Sequence, residues 1–328
     1  MVWEVTQGFY KKCANNQDFL SRWRDNDLQF MQNIANDGHN VNNVDMVDSD
    51  NQVEELTRLY NDQKLVSFRP GCVESSFVYF YLFHEQLKHS HLNTYFLNGP
   101  LDGAMRTNAG MYYQRQEDKD QVHKWYVDSF VRIMKDSTLT FCYCVLYYDL
   151  MLCARLDLKK TYYDYCHLAE IILRNSANKK ILYVGSAVDS IQLAYDRGLD
   201  KLWKFEVPPF DLLTVRTPQT TAGVKSFPHS NMLETTKDII NRIGEYPDFD
   251  TAIFGCGAYG APLIDELSRI YPDKNLIYLG SACYKMFGII SDPHMRWDKY
   301  TDQCNKEFLM YPIESSPDSI HPEPKYWS

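Results

Sequence analysis

The sequence predicts an α/β protein built on a largely parallel sheet with helices on both faces, and two observations carry that prediction. Three short runs rich in β-forming residues each end in glycine: Ile181-Leu182-Tyr183-Val184-Gly185, Thr251-Ala252-Ile253-Phe254-Gly255 and Leu276-Ile277-Tyr278-Leu279-Gly280. Around them, Ser190 to Arg197, Glu234 to Ile243 and Ala261 to Ile270 carry apolar residues at the 3.6-residue period of a helix. Runs that are apolar throughout belong to strands buried on both faces, and strands alternating with helices at this spacing become parallel neighbours. Ligands of such sheets lie beyond the carboxyl ends of the strands, which here are the glycines.

Upstream, Val53, Leu56, Leu59 and Tyr60 make a short helix, and Leu65-Val66-Ser67-Phe68 makes a strand that ends at Arg69-Pro70-Gly71. Glu74 opens a helix that continues to about Lys88, and residues 117–175, poor in Gly and Pro, read as helical throughout. A further strand is read at Leu202-Trp203-Lys204-Phe205. Trp3 to Trp23 repeats aromatic and apolar residues at near-helical spacing, Asn36 to Asn51 is a loop, and the tail from Pro312 is an extended arm over the surface. The organisation is therefore a helical N-terminal extension over 1–52, a single α/β domain over 53–305 and a proline-containing tail over 306–328.

Composition narrows the function classes. With 45% hydrophobic residues the chain has material for a core, and disorder is excluded for most of it. A net charge of −9 argues against nucleic acid or an anionic membrane as partner, because both demand concentrated Lys and Arg. The 9 cysteines include no C-x-x-C pair, which suits buried, reduced thiols and a cytoplasmic location. Phe141 to Leu152, interrupted by Asp149, is too short to span a bilayer. The histidines lack metal-site spacing, and neither a G-x-S-x-G elbow nor a Walker sequence occurs.

Chemistry is concentrated in the turns. Gly257, Ala258, Tyr259 and Gly260 follow a strand and open a helix with Pro262 in its first turn, so backbone N–H groups there can approach a phosphate at the positive helix end; a tight helix–sheet contact needs the same glycines. Gly185 and Ser186 make a similar turn, which also reads as a plain helix start. Glu206, about 20 residues on, is where an acid meets a ribose hydroxyl in dinucleotide and adenosyl sites. Arg69, Gly71 and Glu74 put a guanidinium and a carboxylate on one strand-to-helix turn, suited to a diphosphate and a sugar hydroxyl or metal, or to a surface ion pair. Asn108, Gly110, Arg296 and Trp297 lie in segments that mix amide, charged and aromatic groups, as sugar sites do.

Taken together, these segments resemble the GT-D type glycosyltransferases. The late block carries the likeness in order: Gly257-Ala258-Tyr259-Gly260 with Pro262, Leu279-Gly280-Ser281, Phe287-Gly288-Ile289 and Arg296-Trp297. The family's Arg-x-Gly-Asp-x-Glu turn is matched by Arg69-Pro70-Gly71-Cys72-Val73-Glu74, its NAG segment by Asn108-Ala109-Gly110 and its VP turn by Val207-Pro208. The likeness covers about residues 53–300. It implies a Rossmann-like domain that moves a sugar from a nucleotide-diphosphate sugar to a hydroxyl of a glycan or glycoprotein acceptor. Glu74 is then the first candidate for the base, with Asp102 and Asp292 below it. The family's metal, Mn2+ or Mg2+, would be left with Glu74, because Cys72 replaces the motif Asp and a thiol is a poor ligand for hard cations; Arg69 and Arg296 are the positive charges available instead. Two other readings stand beside this one: an S-adenosylmethionine-dependent methyltransferase using the 185–190 turn and Glu206, and a catalytically silent nucleotide-sugar-binding homologue.

Overall fold

The computed structural model describes residues 40–41, 44–47, 53–63, 65–83, 100–140, 152–153, 156, 158, 160–162, 166–221, 224, 226–290 and 303–314. Helix α1 (Val53–Asn61) leads to strand β1 (Val66–Phe68) and helix α2 (Cys72–Phe83). After α3 (Pro100–Ala104) and a π-turn (Met105–Ala109) come α4 (Lys119–Asp136) and β2 (Leu139–Thr140). Helix α5 (Cys166–Arg174) opens the second half, followed by β3 (Lys180–Gly185), α6 (Val188–Asp196) and β4 (Asp211–Arg216). Then α7 (Met232–Ile243), β5 (Thr251–Gly255), α8 (Gly260–Ile270), β6 (Asn275–Tyr278) and α9 (Ala282–Met286) complete the unit.

The six strands form one parallel sheet in the order β2-β1-β6-β5-β3-β4. Along β3, Ile181 and Tyr183 join one apolar cluster with α1, α5, α6 and α9, while Leu182 and Val184 join the other with α2, α4, α7 and α8. Period-two alternation within a run that is buried throughout is the reason these strands read as continuously apolar. The chain leaves β3 toward β4 across one face and returns through α7 to β5 across the other, so the winding reverses between β3 and β5. The result is an open, doubly wound α/β fold, Rossmann-like in its architecture.

Local chemistry sets the helix limits. The Asn231 side chain accepts from Glu234 N at 3.1 Å, capping α7, whose buried Met232, Thr235, Thr236, Ile239 and Ile243 form one stripe. Helix α4 buries Val122, Tyr126, Phe130 and Ile133 at the same spacing and is pinned to α8 by Arg132, which donates to Asp265 at 2.8 Å.

The structure corrects two readings. Residues 117–175 are not helical throughout: α4 stops at Ser137, β2 follows, and Lys160–Tyr162 pairs with Val44–Val47. The breaks are made by Ser137, Thr138 and Thr140, hydroxyl and β-branched residues rather than Gly or Pro. Leu202 to Phe205 is no strand either. Leu199–Leu202 is a helical turn, Trp203 plugs the core with Nε1 donating to Met286 O at 3.0 Å, and the strand begins at Asp211, after Pro208 and Pro209. Val44–Val47 also lies inside the stretch read as a loop. The helical reading of residues 3–23 lies outside the described residues. Among the described residues, Cys153, Cys256, Cys283 and Cys304 are buried free thiols, and no helix is long and apolar enough to cross a membrane.

Candidate functional site

The carboxyl ends of β1, β6 and β5 lie side by side, bringing residues from opposite halves of the sequence together. Arg69, immediately after β1, is 5% exposed and inserts its guanidinium against Gly280, after β6. A Cβ on Gly280 would collide with Arg69 Nη2, and Gly280 has φ +55, so the position favours glycine. The guanidinium also lies over the Tyr278 ring, 5.6 Å from its centroid. Glu74, in the first turn of α2, folds its carboxylate back over Gly71. Burial pushes that carboxyl above the usual glutamate range, against a backbone hydrogen bond and the Arg69 charge, which pull it down.

The turn after β5 closes the same edge. Gly257, at φ +57, lies so near Ala109 that an added Cβ would stand 2.6 Å from its carbonyl oxygen. The Asn108-Ala109-Gly110 segment thus abuts the Gly257–Gly260 turn. Tyr278 Oη donates to Gly257 O at 2.9 Å, and the Tyr278 ring lies against Gly260. Thr220 donates to Gly110 O at 2.6 Å and reaches the Tyr259 hydroxyl at 3.3 Å. Ala258 and Tyr259 are buried in the core, so this turn can offer a ligand its backbone rather than those side chains. Burial raises Tyr126 and Tyr278 well above the usual phenol range, with the Glu74 charge adding to the effect. Asn108 is exposed and its Oδ1 accepts from Thr107 at 3.1 Å.

One strand further along, Gly185 pairs in register with Gly255, so the Ser186 turn adjoins the Cys256 turn at the point where the winding reverses. Ser186 O accepts from Arg216 Nη1 at 3.1 Å. Glu206 does not belong here. Asp211 pairs with Lys180, the first residue of β3, so the segment just before it lies at the amino end of the sheet, with Glu206 exposed there. The residue that ends β4 beside the site is Arg216. Sequence reasoning missed Arg216 because it missed β4, and missed Tyr278 and Tyr126 because aromatic residues in apolar runs look like core.

Asp102 lies beside α2: Tyr113 Oη donates to its Oδ2 at 3.0 Å, and His123, whose ring packs on Phe77, brings Nε2 to 3.0 Å from its Oδ1 in a bent approach. Burial would raise its pKa, but His123, Lys119 and the Tyr113 hydroxyl outweigh that and keep it below the usual carboxylate range. Asp292, Arg296 and Trp297 lie outside the described residues. Among the described residues no group of three His, Cys, Asp or Glu converges, and Glu74 lies within the field of the Arg69 guanidinium. Hard divalent cations take six or more oxygens.

No family model, curated protein or solved structure matches this chain. The fold and its edge define the class by themselves: a doubly wound α/β protein with polar groups gathered at the carboxyl ends of its parallel strands.

Proposed function

We propose that the protein is a glycosyltransferase that moves a sugar from a nucleotide-diphosphate donor to a hydroxyl of a glycan acceptor. The observation that carries this reading is the meeting of Arg69 with Gly280 beside the Gly257–Gly260 turn, which joins the early and late segments that resemble GT-D enzymes at one edge. In the proposed reaction the donor's glycosidic C–O bond breaks, and the leaving diphosphate gathers negative charge. Arg69 and the backbone N–H groups at the start of α8 are suited to stabilising that charge. Glu74, its carboxyl raised by burial, suits the base that takes the acceptor's proton. The reading needs no resident metal, since Arg69 supplies the cation.

The methyltransferase alternative is weakened by the end of β4, where Arg216 stands in place of the acid that would bind the ribose. A thermal-shift panel of uridine, guanosine, thymidine and cytidine diphosphates beside S-adenosylmethionine tests the choice. One diphosphate should raise Tm, and Arg69→Ala should abolish that rise; a rise with S-adenosylmethionine alone would overturn the proposal.

A further inference from the structure

A run of hydroxyl groups is buried between the start of α7 and the Gly257–Gly260 turn. At its outer end the half-buried His229 places Nδ1 2.9 Å from Thr235 Oγ1, and Thr235 Oγ1 in turn bonds Tyr112 Oη. The hydroxyls of Tyr112 and Tyr259 bond each other, Tyr259 Oη lies 3.3 Å from Thr220 Oγ1, and Thr220 donates to Gly110 O at 2.6 Å. Thr235, Tyr112, Tyr259 and Thr220 are all buried. The inner end is the carboxyl edge of the sheet: a Cβ on Gly110 would collide with Thr220 Oγ1, and the neighbouring Ala109 touches Gly257. Four hydroxyls are thus desolvated in a row where apolar side chains would pack without that cost.

Each hydroxyl carries one proton, so the two ends decide which way the run points. Gly110 O can only accept, which commits the Thr220 proton to it. A neutral His229 ring with its proton on Nε2 accepts at Nδ1 from Thr235, so Thr235 accepts from Tyr112 and Tyr112 from Tyr259. An imidazolium donates at Nδ1 instead. The Thr235 proton must then turn to Tyr112, because its other acceptor, Asn231 O, is 3.5 Å away. Tyr112 next donates to Tyr259, and Tyr259 to Thr220. Thr220 thereby gains a donor on its oxygen, and a hydroxyl that accepts one hydrogen bond donates a stronger one. Burial pushes the Tyr112 phenol up and the Tyr259 phenol well up, so both keep their protons throughout. The charged groups around the His229 end are Glu234 on α7, which accepts from the Ser230 hydroxyl at 2.8 Å, and the Arg115–Asp118 pair, to which Asn231 Nδ2 reaches at 3.5 Å.

We propose that His229 acts as a positioning residue at a distance: its protonation reverses the buried hydroxyl run and tightens the hold of Thr220 on Gly110, beside the Gly257 turn. The coupling belongs to this edge whatever ligand the edge takes, so it stands or falls separately from sugar transfer.

Nuclear magnetic resonance on the isotope-labelled, unaltered protein tests it between about pH 8 and pH 5, where histidine changes charge. The Met111 amide shares its peptide bond with Gly110 O, so its nitrogen shift reports the Thr220 hydrogen bond. That shift should move with the same midpoint as the His229 ring. Tyr112→Phe removes the central link: His229 should still titrate, while Met111 no longer follows it. His229→Gln, altered at the half-buried end, should flatten the Met111 curve in a chain whose core is untouched. A merely structural role for these hydroxyls would lower stability in the variants without uncoupling the two signals. A His229 ring that does not titrate over this range, a Met111 shift that ignores it in the unaltered protein, or a Met111 curve that persists in either variant would each overturn the relay.

Discussion

Glu74 sits in the first turn of α2 with its carboxyl pushed above the usual glutamate range, chiefly by burial. A raised acid favours the protonated native state: its contribution to stability is complete below the ordinary glutamate range and is lost as pH rises through the higher folded value. Glu74→Gln mimics the protonated form. It should therefore unfold at a higher temperature than the parent at pH 8, and the two should converge below the ordinary glutamate range. The same variant should lose about 100-fold or more in sugar transfer, the usual worth of a positioned base. Gaining stability while losing activity marks a residue kept for chemistry; a variant that is less stable at pH 8 would make Glu74 a structural partner of Arg69 instead. None of this burial was legible in the residue types, since Arg69 and Glu74 read equally well as a surface pair.

Between β1 and β6 the contact is tight enough to measure. Gly280→Ala places a methyl group on Arg69 and a side chain at positive φ, which should cost about 2 kcal/mol in urea unfolding. Arg69→Ala opens that space, so the cost of Gly280→Ala in its background should fall by about 1 kcal/mol; fully additive effects would show that the two do not meet. The glycine-ending strands β3, β5 and β6 were readable because burial on both faces leaves a continuous apolar run. Strand β4 was not, because the apolar run at Leu202-Trp203 is spent on a helical turn and a tryptophan plug before Pro208 and Pro209 hold off the strand. That slip carried Glu206 to the wrong end of the sheet. Short β2 was hidden for the opposite reason: two residues on an edge carry too little pattern to interrupt a long helical reading.

At the scale of the whole molecule, the sheet order places β1 beside β6, so a turn at residue 69 and a turn at residue 280 share one edge. Strand order is a non-local property, and periodicity along the chain is silent about it; only the likeness of several separated motifs suggested that the early and late segments belong together. The claim that they form one donor site is open to hydrogen exchange on the unaltered protein with the nucleoside diphosphate that raises its Tm. Exchange should slow over 69–75 and over 255–260 in parallel, at the same ligand concentration. Slowing confined to 185–190, with both other segments untouched, would contradict the shared site.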